Sequence, residues 1–154
     1  MGTKHKGTPE EVRALDLNIK LMRCAQSVED ELLRDVRRAG YSESQFGVLE
    51  ILYHLGPLQP AIIGKKFFTS RPNVTQILDA LERRGLVKRL RCDGDRRQID
   101  VYLTDAGRAV IEPLFADHVR TVVRTMSVLS AEEQETLSAL LKRLGLQKPP
   151  PRDT

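Results

Sequence analysis

The segment SRPNVTQILDALERRGLVKRLRCDGDRR, residues 70–97, decides the fold. In its first half, apolar residues recur every three or four positions, so a helix over Arg71–Arg84 would carry them on one face. These residues are Val74, Ile77, Leu78 and Leu81. Gly85 ends the predicted helix, because glycine readily adopts the left-handed conformation found after helix ends. The opposite face is polar and is predicted to be free for a partner.

Two strands and a charged tip are predicted after this helix. Leu86–Arg91 and Gln98–Leu103 have the composition of strands. In the second strand we expect Ile99, Val101 and Leu103 to face inward, because they alternate with polar residues. The residues between the two strands form a charged hairpin tip.

A short helix is predicted just before the segment, from Pro60 to about Phe67, with Ile63 and Phe67 facing inward. Ser70 is the expected N-cap of the helix that follows. Two short helices followed by a basic two-stranded hairpin make a winged helix-turn-helix, whose second helix enters the major groove of DNA. The pattern therefore predicts a DNA-binding module.

Positive charge is concentrated in this module. The chain carries 25 Lys or Arg and 21 Asp or Glu, a formal net charge of +4. Residues 65–97 hold ten of the basic and four of the acidic residues, so the remainder of the chain is slightly acidic. A nucleic-acid-binding surface needs positive charge gathered in one place. A merely solvated basic surface is the alternative, but the helix-turn-helix beside it favours DNA contact.

Several side chains of the module are candidates for DNA contact. Gln76, on the outward face of the predicted helix, can pair with a base edge. Asp79 can accept a hydrogen bond from cytosine or orient Arg83. At the hairpin tip, Arg97 is the first candidate to reach the electronegative minor groove. The residues predicted to bind DNA are Ser70, Arg71, Pro72, Asn73, Thr75, Gln76, Arg83, Lys88, Arg96 and Arg97.

Capping signals predict further helices on both sides of the module. Thr8–Glu11, Ser42–Gln45 and Ser130–Glu133 have the spacing of a capping box, and Thr104 is a further N-cap. The first of these helices is predicted to continue to residue 39. A helix of about 30 residues, roughly 45 Å, is too long for so small a chain to cover. We therefore expect part of its apolar face to pack against a second chain.

Composition also excludes several classes of protein. No stretch approaches the roughly 20 apolar residues that cross a bilayer. The basic start of the chain is followed by Thr8, Pro9 and Glu10 and not by an apolar stretch, so no secretory signal is predicted. We expect a cytoplasmic protein without a membrane partner, in which cysteines are not paired in a disulfide. No cofactor, metal site or catalytic residue is expected, because no motif for one is present.

Five motifs of the sequence resemble those of the MarR-like (multiple antibiotic resistance) transcriptional regulators. They are Gly56–Pro60, Ser70–Thr75 (SRPNVT), Leu81–Val87 (LERRGLV), Asp95–Arg97 (DRR) and Leu103–Arg108 (LTDAGR). Their order and spacing, flanked by a long first helix and two terminal helices, make the resemblance specific over nearly the whole chain.

The resemblance implies a fold class that is mainly α with a small β wing. A single domain, 1–154, would consist of a winged helix-turn-helix module at 42–103 with dimerisation helices at 9–39 and 104–146. Residues 147–154, which include three consecutive prolines, are expected to be a frayed tail.

The resemblance also implies a function. It indicates a homodimer that represses transcription from a pseudo-palindromic site in double-stranded DNA and is released by a small aromatic or anionic lipophilic effector. It assigns Arg97 to the minor groove and Asp95 to support of the wing. Relatives bind such effectors between the dimerisation helices and the winged module. Met22, Phe46 and Tyr53 are therefore candidates for an effector pocket, although such residues are more often plain core.

Cys24 leaves an alternative open. It lies in the first helix, where hydroperoxide-responsive relatives carry a sensing thiol, but it is more than a turn from their position. A buried structural cysteine is favoured, and a redox-sensing regulator that uses Cys24 is the alternative. A small Cys-dependent enzyme has no motif to support it. Cys92 is expected to be exposed in the hairpin tip. The three histidines, His5, His54 and His118, are too scattered in sequence to favour a zinc site.

Overall fold

Helices form most of the chain. The computed structural model describes residues 2–66, 74–91 and 99–146. Within those residues, helices flank a two-stranded antiparallel sheet. The elements are α1 (Pro9–Leu32), α2 (Arg34–Arg38), α3 (Glu43–Leu55), α4 (Pro60–Lys66), α5 (Val74–Arg83), β1 (Val87–Arg91), β2 (Ile99–Leu103), α6 (Asp105–Met126) and α7 (Ala131–Gly145). The predicted fold class, mainly α with a small β wing, is confirmed.

Side-chain caps fix where four of the helices begin. The hydroxyl oxygens of Thr8, Ser42 and Ser130 each accept from the backbone N–H three residues later, and the Glu or Gln there accepts from the N–H of the cap. Thr104 caps α6 by accepting from the N–H of Gly107 at 3.0 Å. These bonds satisfy N–H groups that a first helical turn leaves without a partner. The structure confirms all four caps predicted from the sequence.

The predicted N-terminal helix of residues 9–39 is interrupted in the structure. Leu33 separates α1 from α2 and has a ψ of −2°. Leu33 and Val36 are buried in the core, whereas no described residue of α1 is buried. The helix is interrupted at the point where the chain passes from α1, whose side chains are not buried, to Leu33 and Val36, which are buried in the core. The prediction of one continuous helix is therefore wrong.

The core lies between α3, α5, the sheet and the middle of α6. Its fully buried large side chains are Leu49, Ile63, Leu78, Leu81, Ile111, Val36, Val48, Val87 and Val101. Burial of one such side chain contributes about 1.5–3 kcal/mol relative to leaving it exposed. This shared core holds α5 and the sheet in one arrangement.

The two strands pair from Val87 opposite Leu103 to Arg91 opposite Ile99. Val101 is buried at the centre of β2, where it also exchanges backbone hydrogen bonds with Leu58. Ile99 is 40% exposed, because its end of the ladder extends past the core. The prediction that Ile99 faces inward is wrong.

A close contact fixes the base of the sheet to the start of α6. The hydroxyl of Thr104 donates to the carbonyl of Gly85 at 2.7 Å, and its backbone N–H donates to the carbonyl of Leu86 at 3.0 Å. A Cβ atom on Gly107 would lie 2.1 Å from that same Leu86 oxygen. Only glycine therefore allows the helix to approach the strand this closely. This contact explains why the sequence LTDAG (residues 103–107) has threonine at 104 and glycine at 107.

Two helices carry apolar side chains that the described part of the chain leaves uncovered. No residue of α7 is buried, and four of its leucines are between 42% and 51% exposed. They are Leu137, Leu140, Leu141 and Leu144. These leucines and Leu17, Leu21 and Cys24 of α1 line a groove of about 480 Å³.

Among the described helices, none is both long enough and apolar enough to span a membrane.

Candidate nucleic-acid interface and effector cavity

Helix α5 presents a polar face to solvent. It buries Leu78 and Leu81 in the core. Thr75, Gln76 and Arg83 are exposed. Because the packing fixes which side of the helix is covered, these three predicted DNA contacts are held outward by the fold.

The first strand extends this surface with positive charge. Lys88 and Arg91 are exposed, and Val87 beside them is buried. Lys88 is thus exposed at the base of the hairpin, and its contact with DNA stays a prediction.

Other predicted residues lie outside the part of the chain that the structure describes. They are Ser70, Arg71, Pro72, Asn73, Cys92, Asp95, Arg96 and Arg97, together with the tail at 147–154. Their assigned roles stay predictions.

Arg89 joins the sheet to α5 through four contacts. Its Nη1 atom lies 2.6 Å from Asp79 Oδ1 and 2.7 Å from Glu82 Oε2. Its Nη2 atom donates to the carbonyl of Thr75 at 3.3 Å, and its backbone N–H donates to Glu82 Oε1 at 3.0 Å. The Arg89 side chain is 23% exposed. We call this group, Arg89 with Asp79, Glu82 and the Thr75 carbonyl, the Arg89 clamp.

The clamp changes the role expected for Asp79. The sequence suggested that this carboxylate reads cytosine or orients Arg83, whereas in the structure it pairs with Arg89. Helical spacing places Asp79 and Glu82 on one side of α5, since residues three apart are neighbours. The sequence did not predict where these two carboxylates lie relative to β1, because that position depends on tertiary packing.

A second contact that sequence reasoning missed lies directly after the C-terminal end of α5. The guanidinium of Arg84 lies over the ring of Tyr41, and its Nη1 atom donates to the carbonyl of Gly40 at 3.1 Å. Gly40 and Tyr41 lie in the connection between α2 and α3. The end of α5 is thereby tied to the chain that leaves the N-terminal helices.

A cavity of about 470 Å³ lies against α3 and α6, and we call it the α3–α6 cavity. Its lining includes Glu43, Phe46, Glu50, His54, Lys66 and His118. The volume is within the range of small-molecule sites, and a few polar groups among apolar walls are typical of them. Phe46, one of the three predicted pocket residues, is thus at a cavity.

Aromatic and imidazole rings form one wall of this region. The ring centroid of His118 is 4.9 Å from that of Phe46, and the ring of His54 is 4.6 Å from that of Phe115. The Nδ1 atom of His118 is buried and has no hydrogen-bond partner among the described residues. Of these four rings, those of Phe46, His54 and His118 belong to residues that line the cavity.

The other two predicted pocket residues lie elsewhere. The Tyr53 ring packs against His54 and Phe115, with the guanidinium of Arg108 5.6 Å from its centroid. Met22 is 56% exposed on α1. In the single chain, therefore, the structure does not bring Met22 to the α3–α6 cavity.

The charge of the cavity mouth is influenced by Glu43. Burial raises the pKa of the Glu43 carboxyl, the nearby carboxylate of Glu29 raises it further, and Arg37 opposes both. Glu50 and Lys66 add one negative and one positive charge to the same lining.

Comparison with known proteins identifies the family. The sequence model of the MarR family matches residues 41–99. YkoM of Bacillus subtilis (strain 168), an uncharacterized HTH-type transcriptional regulator, is 36% identical over 138 residues, which cover 89% of this chain and 90% of that protein. The chain belongs to the MarR family. Family and relative are described as transcriptional regulators and not as enzymes.

Solved MarR-type structures have the same fold. Sco3205, a MarR family transcriptional regulator from Streptomyces coelicolor solved in complex with DNA, has a TM-score of 0.78 at 25% identity and covers 94% of this chain and 93% of its own. The PcaV transcriptional regulator from the same organism, solved with its natural ligand, has a TM-score of 0.69 at 26% identity, with coverage of 81% and 89%.

Cys24 is exposed in this MarR-family chain. The favoured expectation, a buried structural cysteine, is therefore wrong for the single chain, because α1 packs no described residue into the core. The described residues contain no group of three His, Cys, Asp or Glu placed to hold a metal ion.

Proposed function

We propose that this chain is a homodimeric, sequence-specific DNA-binding repressor that acts in the cytoplasm and is released from DNA by a small molecule. The observation that carries the proposal is the orientation of α5, which buries Leu78 and Leu81 and leaves Thr75, Gln76 and Arg83 exposed. A helix held in this way by a winged module can enter the major groove.

The DNA-binding part rests on charge as well as shape. Exposed Arg83 on α5 and Lys88 and Arg91 on β1 give the module cations for phosphate contacts. Arg96 and Arg97 are proposed to continue this surface into the minor groove. The similarity of fold to Sco3205, a protein crystallised with DNA, supports this assignment.

The homodimer rests on the uncovered apolar faces. The four exposed α7 leucines and the α1 side chains that share their groove form a contiguous apolar surface. Large exposed patches of this kind mark protein interfaces. A second copy of the chain would cover them and would present two α5 helices to successive half-sites of one operator.

Release by an effector rests on the α3–α6 cavity. We propose a small aromatic ligand there, since Phe46 and His118 provide ring surfaces and the Nδ1 atom of His118 lacks a partner among the described residues. Met22 would join this site only from a partner chain. The similarity to PcaV, solved with a natural ligand, supports a ligand-responsive protein.

Two measurements test the proposal. Sedimentation velocity should show a dimer, and fluorescence anisotropy should show tight binding to a duplex that the protein selects from a random pool. The logarithm of the binding constant should fall by about 0.9 per neutralised phosphate for each log unit of salt. Arg83→Ala should weaken binding, while Arg13→Ala, at an exposed arginine of α1, should not. A stable monomer indifferent to duplex DNA at low ionic strength would contradict the proposal.

Cys24 is exposed in the single chain and lines the groove proposed as the dimer contact, which favours one alternative, a redox-responsive regulator whose thiol acts at that contact. Such a protein would release DNA after peroxide treatment, and Cys24→Ser would abolish that release. Equal peroxide sensitivity in wild type and Cys24→Ser would remove Cys24 from the explanation and would point to Cys92 instead.

A further inference from the structure

We infer that Arg89 is a positioning residue for DNA binding, which neutralises two carboxylates on α5 and holds that helix against the sheet. The inference rests on the proposed DNA-binding function. It assigns no DNA contact to Arg89 itself. Loss of Arg89 should weaken binding because Asp79 and Glu82 are released, and not because a phosphate contact is lost.

The two carboxylates lie close to the surface proposed to contact DNA. Asp79 is one turn beyond Thr75 and Gln76 on α5, and Glu82 immediately precedes Arg83. Their side chains are 46% and 38% exposed. Without a cationic partner, both would face the phosphate backbone as like charges, which opposes association.

The geometry of Arg89 shows why it performs this neutralisation and not a phosphate contact. Its Nη1 atom lies within 2.7 Å of both carboxylates, and its Nη2 atom is directed to the Thr75 carbonyl. A guanidinium has five N–H donors in a fixed planar arrangement, so these bonds fix the direction of the whole group. The side chain is also the least exposed member of the clamp.

The clamp adds polar contacts between α5 and β1, which are also connected through the core and the turn at Gly85. The backbone N–H of Arg89 donates to Glu82 Oε1, while the guanidinium bonds to Glu82 Oε2, so one carboxylate binds both parts of Arg89. Isolated surface ion pairs contribute little, but a network with fixed geometry contributes more. The Arg89 clamp therefore adds to the shared core in fixing the orientation of α5 relative to β1.

Four proteins test the inference: wild type, Arg89→Met, Asp79→Asn/Glu82→Gln, and the triple variant that combines them. Binding is measured by anisotropy on a duplex selected by the wild type, over a range of salt concentrations. We expect Arg89→Met to weaken binding by about tenfold or more, because two unpaired carboxylates would then face the phosphate backbone. The triple variant should recover more than half of that loss on a logarithmic scale, and Asp79→Asn/Glu82→Gln should bind at least as tightly as wild type.

The opposite result identifies a phosphate contact. In that case the triple variant binds as weakly as Arg89→Met, and both have a salt slope smaller than that of the wild type by about 0.9 for each half-site. Unchanged affinity in Arg89→Met would equally overturn the inference.

A measurement without DNA separates this inference from the proposed function. The free energies of unfolding of wild type, Arg89→Met, Glu82→Gln and the variant that combines Arg89→Met with Glu82→Gln form a double-mutant cycle. The clamp predicts that Arg89 and Glu82 couple, whereas strictly additive effects would overturn it. If the wild type does not bind DNA but the coupling is present, the proposed function fails while the clamp remains.

Discussion

The guanidinium carbon of Arg84 lies 4.0 Å from the centroid of the Tyr41 ring. Arg84 directly follows α5, and Tyr41 lies between α2 and α3, so this contact joins the end of the proposed recognition helix to the N-terminal helices. It is reinforced by the hydrogen bond from Arg84 to the carbonyl of Gly40. Together with the Arg89 clamp, it holds α5 at both ends of its exposed face.

Replacing the Tyr41 ring should weaken this connection measurably. A cation over an aromatic ring at a partly exposed site contributes about 0.5–1 kcal/mol. We expect a double-mutant cycle of Tyr41→Leu and Arg84→Met, measured by urea unfolding, to give a coupling energy of that size. Tyr41→Phe is the control, because it keeps the ring and should preserve the coupling. Additive effects of the two substitutions would show that the ring and the guanidinium do not interact in solution.

Gly107→Ala should destabilise the chain. Its added Cβ would lie 2.1 Å from the carbonyl oxygen of Leu86, so α6 or β1 has to shift. Overpacking of this kind costs about 1–3 kcal/mol, which thermal and urea unfolding can resolve. Gly145→Ala, at a helical glycine whose Cβ would meet open space, is the matched control and should be neutral or stabilising. Equal effects of the two substitutions would contradict the close approach.

The sequence predicted those parts of the fold whose causes are local. The caps at Thr8, Ser42 and Ser130 and the helix end at Gly85 depend on residues a few positions apart, and all are present. The polar side of α5 followed from apolar periodicity. The break at Leu33 could not be predicted in this way, because it depends on which neighbours cover the helix.

The candidate site was predictable to a smaller extent, for the same reason. Gln76 is exposed as expected, since the apolar periodicity of the helix decides which side it faces. The partner of Asp79 depends on how β1 packs beside α5, and nothing in the spacing selects Arg89 over Arg83. Phe46 lies at a cavity, but Met22 on another helix does not reach it in the single chain.

Leu140→Asp should convert the proposed dimer into a monomer. Leu140 is 51% exposed in the single chain and lines the groove between α7 and α1. A buried carboxylate without a partner opposes association strongly, so the dissociation constant should rise by about a hundredfold or more. Sedimentation velocity over a concentration series measures this change.

Ala139→Asp is the control for that substitution. Ala139 is exposed on the side of α7 away from the leucines, and the change introduces the same charge into the same helix. The dimer should persist in this variant. Dissociation by both substitutions would indicate a general effect on α7, and dissociation by neither would place the dimer contact elsewhere.

The capping box of α1 predicts a pH-dependent contribution to stability. The backbone N–H and hydroxyl of Thr8 hold the pKa of Glu11 below its ordinary value, with a further contribution from His5. A carboxyl whose pKa is lowered by folding stabilises the protein above its unfolded pKa and loses that effect as pH falls through the folded pKa. Glu11→Gln should therefore lower the melting temperature at pH 7, and the difference should shrink as the pH is lowered toward 3.

Glu10→Gln provides the comparison in the same helical turn. Glu10 shares the favourable interaction of an acidic residue with the helix N-terminus, but the capping box belongs to Glu11. Glu11→Gln should have the larger effect at pH 7. A difference between wild type and Glu11→Gln that stays constant from pH 7 to pH 3 would contradict the capping role of the carboxylate.

Gln76 should determine base preference without contributing to salt dependence. It is exposed on α5, it is neutral, and a glutamine can bond to both the N6 and N7 atoms of adenine. Gln76→Ala should lose about 1–3 kcal/mol of discrimination at one A·T pair in each half-site, while the slope of log K against log salt stays the same.

Lys88→Ala should have the opposite pair of effects, since an exposed ammonium that contacts phosphate carries no sequence information. Lys88→Ala should weaken binding to all duplexes alike and reduce the slope of log K against log salt by about 0.9 for each half-site. Anisotropy with a set of singly substituted duplexes at three salt concentrations separates the two effects. Loss of base preference in Lys88→Ala, with none in Gln76→Ala, would mean that the strand, and not the exposed face of α5, reads the sequence.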